Sequence, residues 1–228
     1  MRSGLFTALM LSLVSCTLIA CGGGGKKYKD MDEPKLRAHV DAIVVDDWKS
    51  TGDGIIDTAG TVIVTDTKAS IAKGRELYAQ VLGNQTLGKF NRSVEAAAAE
   101  SKAETVEDYE AIKAKTMAGF TASEQSEIKE FTERQKASLA EERARQAKIL
   151  EAIGKLAADL AAKSQGGGKG IGAALLSSGG AFVEAKDALD KVSDQLAASE
   201  ALLDLNEFKL NSIPAAAARN AAKAKEAK

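Results

Sequence analysis

Between Phe182 and Ile213 the apolar and small residues return in steps of three and four: Phe182, Ala185, Leu189, Val192, Leu196, Ser199, Leu203, Asn206, Leu210 and Ile213. That spacing keeps one stripe of a helix turned toward a partner helix for over four heptads. The rest of the composition points the same way. Aromatic residues are 4% of the 228, and the prolines are Pro34 and Pro214 alone. Few aromatics and many alanines suit close-packed helices better than a large globular core. The sequence therefore predicts an all-α chain, an elongated helical bundle built around a long antiparallel helical hairpin.

The other arm of the hairpin precedes a glycine-rich reversal at 165–180. Thr121-Ala122-Ser123-Glu124 has the form of a capping box, in which hydroxyl and carboxylate each take an exposed N–H. From there a helix is expected to run to about Lys163, some 60 Å at 1.5 Å per residue. Ile128 and Phe131 make one end of its stripe apolar, and Ile149, Ile153, Leu156 and Leu160 the other. Gln135, Glu142 and Gln146 occupy the middle, which is expected to be exposed, spanning solvent or awaiting a partner. With the seam from Phe182 to Ile213, that midsection is the expected contact surface. Upstream, Pro34 suits a first helical turn, and Leu36, Val40, Ile43 and Val44 predict a short helix to about Trp48. Lys49 to Gly54 is turn chemistry. Thr61-Val62-Ile63-Val64-Thr65 has the β-branched density of a strand, yet Ile56, Ile63, Ser70 and Leu77 recur every seven residues. Helix is favoured for Ile55 to Leu82, because no second strand candidate exists to pair with. A further helix is expected from Phe90 to about Met117, interrupted at Gly119.

The N-terminus is of another kind. Met1-Arg2 is a positive start, Gly4 to Thr17 is apolar, and Leu18-Ile19-Ala20-Cys21 follows. That order is a secretory signal peptide rather than a fold element. Its end resembles the lipobox of bacterial lipoproteins, in which cleavage precedes a diacylated cysteine. Leu13-Val14-Ser15-Cys16 also fits the pattern. Cleavage before Cys21 uses the whole apolar run and leaves Gly22 to Gly25 as a spacer, so Cys21 is the lipidation site expected. Two or more acyl chains hold a protein to a bilayer where one binds only marginally. By the same resemblance, Gly22 in place of an Asp after the cysteine points to the outer membrane. The chain then divides into a signal peptide at 1–20, a lipidated flexible tether at 21–33, short helices at 34–118, the hairpin at 119–214 and an Ala/Lys tail at 215–228.

Motifs that carry chemistry are thin. His39 is the sole histidine, whereas a catalytic histidine needs a partner in reach and a metal site needs several ligands. Asp53, Gly54 and Ile56 match inner positions of a calcium loop. Its first, third and twelfth positions would be Lys49, Thr51 and Gly60, which lack the essential carboxylates. Gly166-Gly167-Gly168-Lys169-Gly170 lacks both the strand and the Ser/Thr of a phosphate-binding loop. A net charge of −1 gives no field to recruit nucleic acid. No catalytic, cofactor-binding or metal-ligating residue is singled out, and a non-enzymatic protein is expected. Asn206 in the seam is either a register or oligomer determinant or a solvent-facing residue near a helix end. The terminal Lys228 is similar in position to the lysine that joins the murein lipoprotein to the cell wall. The expected roles are structural or protein-binding: an envelope lipoprotein that self-associates or holds a protein partner, an accessory or immunity-type module, or a peptidoglycan-linked spacer.

Overall fold

The computed structural model describes residues 24–165, 172–214 and 217, without the side chains of 24–26, 164–165 and 172–179. Among the described residues every regular element is a helix: α1 (Gly24–Lys29), α2 (Glu33–Asp41), α3 (Gly54–Gly83), α4 (Gln85–Ser101), α5 (Val106–Met117), α6 (Ala122–Gln165) and α7 (Gly172–Leu210). The all-α expectation holds, with helices packed as a bundle. Cys16, Cys21, the Gly166–Gly170 run and the tail to Lys228 lie outside the described residues, apart from Ala217.

The chain forms two compact units. One takes the N-terminal part to Ile71 together with Arg145–Ala201, the other Ala72–Ala144 together with Leu202 onward. In the first, Ile56, Ile63 and Val64 of α3 meet Ile149, Ile153, Leu156 and Leu160 of α6 and Ala185, Leu189, Val192 and Leu196 of α7. In the second, Leu77 and Val81 of α3 and Leu87, Phe90 and Val94 of α4 close on Ile128, Leu139, Leu203 and Leu210, with Tyr109, Ile112 and Met117 of α5 half-buried beside them.

The strand-like run Thr61–Thr65 is helical, as its seven-residue recurrence predicts. Its threonines fit because Thr61 and Thr65 donate their hydroxyls to the carbonyls of Asp57 and Thr61, one turn back. Ile63 and Val64 are buried and Val62 is 54% exposed, which is helical rather than alternating periodicity.

Several boundaries differ from the sequence reading. The helix from Pro34 ends at Asp41, not near Trp48. The β-branched run Ile43-Val44-Val45 leaves as an extended segment, a conformation those side chains favour. The span 34–118 also holds the 30 residues of α3, so it is not a set of short helices. The helix expected from Phe90 to Met117 is two. Lys102 adopts a left-handed φ of 54° and closes α4. Thr105 and Asp108 then form a capping box that opens α5. The capping box at Thr121 and Glu124 forms as predicted, Thr121 N–H donating to Glu124 Oε2 at 2.9 Å and Glu124 N–H to Thr121 Oγ1 at 3.3 Å. The last helix stops at Leu210, short of Ile213, where Ser212 turns left-handed at φ 53°.

Candidate functional site

The polar midsection of α6 is not exposed. Gln135, Glu142 and Gln146 are 7%, 2% and 4% exposed, and for the two glutamines partners on other helices explain why. Gln146 donates from Nε2 to Ser70 Oγ at 3.2 Å and to Ser199 Oγ at 3.1 Å, all within the first unit. In the second unit Gln135 donates to Gln80 Oε1 at 2.6 Å. The seam on α7 is buried as well, from Ala185 to Leu210, with Phe182 and Ile213 half-buried. Neither surface expected to meet a partner is therefore open to one. Asn206 is fully buried, not solvent-facing, and its amide N and O make no hydrogen bond among the described residues.

The remaining sequence candidates take structural places. His39 stacks on Tyr28, ring centroids 5.0 Å apart. Asp53 accepts from the N–H groups of Ile55 and Ile56, capping α3, and pairs with Lys163. Asp57 accepts from Trp48 Nε1 at 3.2 Å, Ser50 Oγ at 2.6 Å, and the N–H and hydroxyl of Thr51 at 2.7 and 2.9 Å. The Ser50 hydroxyl, then the Thr51 N–H, hold the Asp57 carboxyl well below the usual carboxylate range. These oxygens tie a turn together and are committed to N–H and O–H donors. No group of three or more His, Cys, Asp and Glu assembles as a metal site among the described residues.

The feature the sequence reading missed is an N-terminal arm docked on the first unit. Tyr28, expected within a flexible tether, is fully buried and donates its hydroxyl to Asp194 Oδ2 on α7 at 2.6 Å. Burial, then this bond to Asp194, pushes the Tyr28 phenol up to about 12. Leu36 and Val40 of α2 are buried behind it. The chain then runs extended from Ile43 to Ser50 between α7 and α3. Gln195 donates to the Val44 carbonyl at 3.0 Å, Lys191 pairs with Asp46, Lys68 of α3 with Asp47, and Lys49 with Glu184. Trp48 lies against Gly60, where a Cβ would overlap the indole ring. One signal was present in the sequence. The single Trp stands just before a Ser-Thr-Gly-Asp turn, and Gly60 sits in a helix face otherwise made of large residues.

Among the described residues no helix is long and apolar enough to cross a membrane. Comparison with family models, with curated proteins and with solved structures finds no match to this chain.

Proposed function

We propose that this chain is an envelope lipoprotein, anchored to the outer membrane through acyl chains on Cys21 and acting by structural or protein-binding contacts rather than by catalysis. The observation that carries the reading is the apolar leader ending Leu18-Ile19-Ala20-Cys21, followed at once by glycines and a basic pair. The docked arm gives that anchor a short lead. Tyr28 stands seven positions after Cys21, so this buried side chain lies at most about 25 Å along the chain from the lipid. A bundle held so close works at the bilayer face. Partner contacts fall to the outward helix faces, where Ile55 and Val62 of α3 and Val183 of α7 are 77%, 54% and 60% exposed in the first unit.

Mass spectrometry of the mature N-terminus tests the anchor. Diacylglyceryl or triacyl cysteine at Cys21 is the expected result, together with loss of membrane association in Cys21→Ala. A native protein with an unmodified N-terminus overturns the reading. Crosslinking in intact cells then separates the roles. One captured protein marks a binding module, and a muropeptide on Lys228 marks a wall-linked spacer.

A further inference from the structure

The extended segment Ile43–Ser50 is pinned at both ends and lightly held between them. Before it, Leu36 and Val40 are 2% and 0% exposed, and after it Thr51 is 8% exposed. None of the side chains from Ile43 to Ser50 is buried. Its course follows α7 in the opposite direction. From Val44 to Lys49 the partners fall from Gln195 to Glu184, so five extended steps and eleven helical steps each cover about 17 Å. The match lets the segment lie flat along the helix, with Asp46 turned to Lys191 at 2.6 Å and Asp47 to Lys68 on the other wall at 2.5 Å. Both pairs are open to solvent, with side-chain exposures of 55% and 70%, and 43% and 93%. Its recessed apolar contacts are Val45 and Trp48, both half-buried against the core of the first unit, with Trp48 over Gly60 and its indole N–H on Asp57.

We propose that Ile43–Ser50 is a salt-sensitive strap, which lifts from the groove between α3 and α7 while the bundle beneath stays folded. Segments with few buried apolar contacts and solvent-exposed polar ones open at far lower free energy than the core. Exposed ion pairs are the contacts that salt weakens most. Lifting withdraws Trp48 from its seat, uncovers the Gly60 slot and releases Lys68 and Lys191, giving the first unit a recessed seat between two cationic walls. The device does not depend on the lipid at Cys21.

Trp48 is the only tryptophan, so its indole N–H gives one resonance in the full chain. Hydrogen exchange of that proton reads the open fraction, and the amides of Ile153 and Leu156 read the core. Between about 20 mM and about 1 M salt the indole should exchange roughly tenfold faster, with the indole N–H of free tryptophan as control. The two core amides should keep their rates. An indole rate indifferent to salt, or one that moves in step with the core amides, overturns the proposal. Gly60→Ala should speed indole exchange at low salt at least tenfold, and an unchanged rate also overturns it. Should that variant lose its core protection, Asp46→Asn with Asp47→Asn decides. Fast exchange at low salt with little further response supports the strap, and a wild-type salt response refutes it.

Discussion

Replacing Gln146 by Leu tests whether the polar layer inside the first unit is held by reciprocal satisfaction. The Gln146 amide is 4% exposed, and both of its hydrogen-bond partners, Ser70 and Ser199, are fully buried. Removing the amide deletes two neutral hydrogen bonds, each with a net worth of about 1 kcal/mol, and leaves hydroxyls short of a partner at about 1–3 kcal/mol. What each hydroxyl loses is the donor to its oxygen; its own O–H can still donate to a carbonyl one turn back in its helix, which keeps part of the group satisfied. The more apolar Leu offsets a further part. The expected net loss is about 2 kcal/mol, or about 1 M in urea midpoint for a slope near 2 kcal/mol/M. Far-ultraviolet dichroism reads the unfolding, because Trp48 leaves its seat with the strap while the helices stay folded. The triple change Gln146→Leu, Ser70→Ala and Ser199→Ala removes donor and acceptors together. It should return to within about 1 kcal/mol of the parent, because apolar replacement of both partners is nearly neutral. A single variant as stable as the parent, or a triple variant no better than the single, refutes the reasoning.

Other outcomes follow from particular side chains. Burial raises the Tyr28 phenol above its ordinary value, so the fold favours its neutral form. The stabilisation this gives is complete below the ordinary tyrosine range and is lost as pH rises toward about 12. In the tyrosinate absorbance titration the step centred there should vanish in Tyr28→Phe. Lys102 holds φ at 54°, a conformation that costs a non-glycine residue about 1 kcal/mol, so Lys102→Gly should raise the urea midpoint of the second unit rather than lower it. Leu189 is 1% exposed in the first cluster, and Leu189→Ala should cost about 2–5 kcal/mol by the same denaturation.

The helices that carry periodicity were legible: α7 through its steps of three and four, α6 through its capping box, and α3 through its seven-residue recurrence despite a strand-like composition. What escaped was set by partners remote in sequence. Gln146 reads as a surface residue until the register brings Ser70 and Ser199 to it. Tyr28 reads as tether until Asp194, far along the chain, takes its hydroxyl. The break at Lys102–Thr105 had a local sign in Thr105 and Asp108. That sign uses Asp where the usual box has Glu or Gln, and a left-handed lysine leaves no mark in a sequence. The turn at Ser50 to Asp53 was legible as a turn. Its role in seating Trp48 depends on Asp57, one helical turn into α3.

The buried polar layer also accounts for something the apolar seam cannot supply. Leu189, Leu196 and Leu203 recur every seven residues, so sliding α7 by one heptad along α6 matches leucine to leucine again. Ser199 does not recur in that way. One heptad toward the N-terminus stands Val192, and one toward the C-terminus stands Asn206. In the first slip Gln146 faces a side chain that cannot accept a hydrogen bond, and in the second it faces a bulkier amide in a place shaped for a hydroxyl. The layer thus penalises the slip that sets Val192 opposite Gln146, where the amide loses its acceptor on α7, while contributing little to the native state, which is how a buried polar residue specifies register. The triple variant described above removes that penalty along with the layer. It should therefore regain stability and lose uniqueness, seen as doubled or broadened amide signals from α7. A single sharp set of signals would show that the connections at the helix ends, rather than Gln146, fix the register.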